Sequence, residues 1–235
     1  MPIKAMFVGL MLLLGLVVAP YRASAGTAED RDFYFRLGLM EGHLIVAHDL
    51  IKARKANLAL PHFGHPVREL YDDVSGYLKQ KNFPGFNRQL AGLEAAAAAA
   101  PYGQDLETRY QATLATLAKA KELVPSGLRD SLPDRLQICA DTMDAAAGEY
   151  AAAIQRGKLA LLVEYHDSRG FITYVGRELS ALATKGESEL LARFNAVYAK
   201  TQAVVGRLIP DPTPVVTVAQ FREFAGQAAQ VAKPD

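Results

Sequence analysis

The sequence has no tryptophan and one cysteine, Cys139, in 235 residues. One thiol excludes an intramolecular disulfide framework and any cysteine-based zinc finger. An excess of charge of either sign is also missing: 26 Lys and Arg stand against 25 Asp and Glu. Balanced charge argues against a dedicated nucleic-acid binder, which needs a basic face. With half the residues apolar and 22% charged, the chain is not of the disordered class. No Gly-rich phosphate loop, nucleophile elbow, C-x-x-C-H haem attachment or H-E-x-x-H zinc-protease motif is present. After residue 25 no apolar run approaches the ~20 residues of a membrane span.

The one long apolar run lies at the start. Lys4 is followed by the uncharged stretch Ala5 to Ala19, then Pro20 and the small-x-small pattern Ala23-Ser24-Ala25. Residues 1–25 therefore read as a secretory signal peptide cleaved after Ala25. Its removal deletes Lys4 and Arg22 and no acid, so the remainder stays near neutrality. A periplasmic or secreted location is expected, and a single cysteine suits that oxidising setting.

The remainder reads as all-α. Thr27 with Asp30 three residues later reads as a variant of the capping box. Phe33, Leu37, Met40, Leu44, Ala47 and Ile51 follow at alternating spacings of four and three, one apolar stripe on a helix over about 28–55. Further helices are expected over 58–81 with interruptions at Pro61 and Pro66, and over 86–100, 104–124, 131–157, 158–183 and 187–209. Pro and Gly clusters separate them. The predicted architecture is a bundle of six to seven helices over 26–209, followed at 210–235 by a Pro-containing linker and, over 215–235, a short tail that could be helical. Laying 55–93 on 156–194, an offset of 101, matches Leu58 with Leu159, His65 with His166, Arg68 with Arg169 and Gly85 with Gly186. The match suggests two related halves, with His65 and His166 at equivalent places.

Chemistry concentrates at the five histidines. His43, His48, His62 and His65 fall within 23 residues, and His166 pairs with His65 in the repeat. His62, His65 and Glu69 share a helix face, and H-x-x-H with a carboxylate is a workable ligand set. Pro66 disfavours α geometry at His65, so a kink or helix start is expected there. His43 and His48 are five apart, about 140° around a helix, and cannot easily serve one ion. A second cluster, Glu164-Tyr-His-Asp-Ser-Arg169, is embedded in apolar sequence, so its charges need partners. The candidate metal ligands are His43, His62, His65, Glu69 and His166. His48, Arg68, Glu164, Asp167 and Arg169 are candidate supporting or ligand-binding residues.

Met40, Met143 and Cys139 sit on apolar stripes and are expected to pack. The exported helical bundles of the imelysin type carry Gly-x-His-x-x-Glu; here Gly42 and His43 are adjacent and Val46 stands where the Glu would be, so that site does not transfer. The paired Glu and Glu-x-x-His of ferritin-like di-iron bundles is also missing.

The sequence points first to an exported, non-enzymatic helical bundle. It would bind a transition metal ion (zinc, copper or iron), with no organic cofactor, for buffering, delivery or sensing. A structural or protein-interaction module of the periplasm, held by internal salt bridges and serving a protein partner, is the second reading. A small-molecule-binding or acid–base enzyme at Glu164, His166 and Asp167 is the third.

Overall fold

The computed structural model describes residues 26–186 and 188–233. The expected signal peptide lies outside them. Helices dominate: α1 (Ala28–Lys52), α2 (Ala56–His65), α3 (Tyr71–Gln80), α4 (Asn87–Ala99), α5 (Gln104–Lys121), α6 (Ser126–Asp130), α7 (Leu132–Ala153), α8 (Leu162–Ala183), α9 (Glu189–Val205) and α10 (Val218–Ala232). A π-helical turn, Pro66–Leu70, joins α2 to α3. Counting that run as one interrupted helix gives nine among the described residues, packed as a bundle.

The neighbours form two rings of four. In the first, α1 packs on α2, α2 on α4, α4 on α5, and α5 back on α1. In the second, α7 packs on α8, α8 on α9, α9 on α10, and α10 back on α7. Each ring therefore takes its helices in the same cyclic order, and the offset of 101 lays the α2–α3 run on α8 and α4 on α9. The rings meet where α1 lies against α7 and α8, and α2 touches α8.

That seam explains the burial of α1. The sequence shows one stripe, but Leu39, Ile45 and Val46 are buried as well, because α1 is covered from both rings. Glycine makes the seam tight. A Cβ on Gly170 of α8 would overlap the carbonyl oxygen of Gly42, and one on Gly42 would come within 2.6 Å of the Phe171 ring. The Thr27–Asp30 capping box opens α1 as the sequence implies.

Four expectations are corrected. The interruption expected at Pro61 does not occur, since α2 runs through it from Ala56 to His65. His65 keeps α geometry (φ −55°, ψ −45°) although Pro66 follows. The missing Pro66 N–H is absorbed by widening the next turn to π, so the helix neither stops nor restarts. The expected helix start near residue 158 is instead a hairpin: strand β1 (Ile154–Gln155) pairs antiparallel with β2 (Lys158–Leu159). Arg156 and Gly157 both take positive φ there, the requirement of a tight two-residue hairpin turn. Finally, the bundle does not end at 209. Thr217 caps α10 in a second capping box, and α10 buries Phe221, Ala225, Ala228 and Ala232 against α7 and α9. Small apolar residues at that spacing look weak in sequence but suit close helix approach.

Candidate metal centre

Three helices deliver the centre. The Gly42–Gly170 crossing brings α1 onto α8 one turn from Asp167, so His43 Nδ1 lies 2.6 Å from Asp167 Oδ1. His62 and His65 share the inward face of α2, one turn apart. His62 Nδ1 is 2.7 Å from the same Oδ1, and His65 Nδ1 is 3.3 Å from Oδ2. His65 Nδ1 also lies 3.3 Å from His43 Nδ1. One donor atom from each of His43, His62, His65 and Asp167 falls within 4.8 Å of the others. His43, His62 and Asp167 are buried, and His65 is nearly so.

A carboxylate only accepts, so His43 and His62 present Nδ1–H to Asp167 in this arrangement. Burial on its own would raise the Asp167 pKa. The His43 charge and the hydrogen bonds from all three histidines outweigh it, and the group is held far below the usual carboxylate range. Burial lowers His62, against the pull of Asp167. For His65 burial is outweighed by Asp167 and by the charge of Glu69, and its pKa rises. Glu69 Oε1 is 3.8 Å from His65 Nε2, on the side of the ring away from Asp167.

The other residues singled out from the sequence are placed as follows. His166 is not among the four: it is fully buried one residue before Asp167, about 100° around α8. Its Nε2 lies 2.9 Å from the Leu208 carbonyl, and burial lowers its pKa to about 4. His48 faces the first ring, stacked on Tyr110 and 2.7 Å from Glu107 Oε2. Arg68 pairs with Glu94, and Arg169 with Asp49 at 2.8 Å, so neither guanidinium meets the histidines. Glu164 is half-buried at the start of α8. Met40, Met143 and Cys139 are core residues.

One participant escaped the sequence reading. Glu149 of α7 is pushed up to about 7 by burial and then by the negative charges of Asp167, Glu164 and Glu69. No motif surrounds it, and only the packing of α7 on α8 brings it here. Asp167 was visible, but as a support. Its central place depends on the α1–α8 crossing.

The donor atoms fit a metal ion. With bonds of 2.0–2.2 Å to nitrogen and oxygen, neighbouring ligand atoms of a tetrahedral site lie ~3.4 Å apart. The two contacts of His65 Nδ1 are 3.3 Å, and the shorter pairs are contracted by hydrogen bonding. Three imidazoles and one carboxylate, without a thiolate, suit a divalent ion of intermediate hardness, such as Fe(II) or Zn(II).

Residues 125–233 match the family model described as the iron permease-associated 4-helix bundle domain. The matched span takes in α6 to α10, and so the whole second ring. It contains Asp167, Glu149, Glu164 and His166. The three histidines nearest Asp167 lie outside it, in the first ring. No curated protein and no solved structure matches the chain significantly.

Proposed function

We propose that the chain is an exported metal-binding protein whose cargo is iron, held at the seam and handled beside an iron permease. The observation that carries the reading is the convergence of three imidazole Nδ1 atoms on one buried carboxylate, all within 4.8 Å. The match of the second ring to an iron permease-associated domain favours iron over zinc and copper and suggests the permease as partner. Neutral imidazoles with one carboxylate give a site of single negative charge, suited to Fe(II). Glu69, beside His65, adds negative charge and would favour cation entry. On this reading the protein binds and delivers and catalyses no reaction, and the leader over 1–25 directs it across the membrane.

The test is metal analysis of the mature chain, prepared without a polyhistidine tag and without oxygen. Near-stoichiometric Fe(II) binding with submicromolar affinity is expected, lost in a His62→Ala/His65→Ala double variant. A chain that takes up no iron, zinc or copper after reconstitution would sink the reading. A structural role has one observation in its favour: Asp167 meets all three histidines directly. It predicts that the double variant melts at a lower temperature with unchanged metal content.

A further inference from the structure

Among the described residues, two buried nitrogens beside the centre have no hydrogen-bond partner: Nε2 of His62 and Nδ1 of His166. Both rings are fully enclosed, and their centroids are 5.5 Å apart at 79°. The hydrogen bonds each ring does make fix its tautomer. His62 faces a carboxylate through Nδ1, so its proton is on Nδ1 and Nε2 is a bare lone pair. His166 faces a carbonyl through Nε2, so its proton is there and Nδ1 is also bare. Two buried acceptors beside each other satisfy nothing, and such atoms are costly.

The conflict disappears when a metal ion takes the place of the proton on His62. We infer that His166 is a positioning residue of the centre: with His62 Nδ1 given to an ion, the ring carries its proton on Nε2 and donates it to Nδ1 of His166, itself anchored on the Leu208 carbonyl. The ring stays neutral and keeps one proton, which leaves Nδ1 while one is taken up at Nε2. With the ring centroids 5.5 Å apart, the two nitrogens can meet where both face along the line between the rings, and an imidazole's orientation about its second torsion is broad. His65 is placed in a similar way, its Nε2 lying 3.8 Å from Glu69 Oε1. Ligating histidines generally give their second nitrogen to an acceptor, which sets tautomer and orientation. The inference rests on the metal-binding reading above.

The test uses Zn(II), diamagnetic and inert to redox, with the mature chain and its His166→Gln and His166→Leu variants. Glutamine can accept from His62 and donate to Leu208; leucine can do neither. His166→Leu is expected to bind zinc about 10–100-fold more weakly, the usual effect of losing such a partner. His166→Gln is expected to bind close to wild type. Nitrogen-15 NMR of the histidine rings should show the His62 proton on Nδ1 without metal and on Nε2 with zinc. Should His166→Leu fail to fold, the glutamine variant and the NMR tautomer decide. Wild-type affinity in His166→Leu, a glutamine variant as weak as leucine, or an Nε2 of His62 that stays unprotonated with zinc would each overturn the inference. So would two zinc ions per wild-type chain falling to one in both variants, which would make His166 a ligand. If the wild-type chain takes up no zinc, iron or copper, the centre itself falls, and if it takes up only iron the same titrations are read with Fe(II); uptake by wild type with equal affinity in His166→Leu overturns this inference alone.

Discussion

Replacing Asp167 with alanine leaves three imidazole N–H groups converging on an empty buried space. Breaking a buried charged network by deleting one partner costs about 3–5 kcal/mol. We expect a loss of that size in urea denaturation of Asp167→Ala, together with loss of metal binding. Glu149 makes a prediction of opposite sign. Its folded pKa of about 7 lies above the ordinary carboxyl value of 4.5, so between those values the folded chain holds a proton that the unfolded chain has lost. Stability therefore falls as pH rises through that window. Glu149→Gln should melt with the wild type near pH 4 and at a higher temperature than the wild type at pH 8, in metal-free thermal scans. Equal melting at pH 8 would remove Glu149 from the charge cluster. At this scale the histidine set was half legible. The i, i+3 spacing put His62 and His65 on one face, but nothing local told that Asp167, 124 residues from His43, and not His166 beside it, turns toward them. Adjacent helical positions face about 100° apart, and only the neighbouring helix decides which one looks inward.

Among the helices, the α1–α8 crossing sets the centre's geometry without contributing a ligand at the contact itself. Gly170→Ala forces a methyl against the Gly42 carbonyl. Overpacking of this kind costs about 1–3 kcal/mol, and we expect weaker metal binding as well, since Asp167 and His43 flank the crossing. Gly148→Ala is the control. It sits on the exposed side of α7 with none of the described residues within 4 Å of a new Cβ, and should stabilise by about 0.5–1 kcal/mol without touching metal affinity. Chemical denaturation and metal titration of the pair separate the two effects. Most helices were readable from apolar period and Pro or Gly punctuation. The elements that were misread share a cause. The π turn after Pro66, the hairpin at Arg156–Gly157 and the docking of α10 all depend on tertiary packing that overrides or completes a weak local signal.

For the whole molecule, an ion at the seam ties α1 and α2 of one ring to α8 of the other. Anything that binds only the folded state stabilises it, by about 2.7 kcal/mol at a free concentration of 100 times Kd. For a chain of this size that is a rise in Tm of roughly 5–10 °C. Scanning calorimetry with and without metal should show it, and the rise should shrink at low pH, where protons compete for the imidazoles. A rise that persists in Asp167→Ala would place the ion elsewhere.

The same seam has a mechanical side. Ligands donated by a single helix move together and keep their mutual distances when the helix moves. Here the carboxylate belongs to one ring and the three imidazoles to the other, so the grip on a bound cation would measure how far apart the rings stand. Productive sites tolerate displacements of only about 0.5 Å. Parting the rings by more than that would slacken all three distances to Asp167 at once, and the protein would let go by opening as a clasp does rather than by exchanging ligands one at a time.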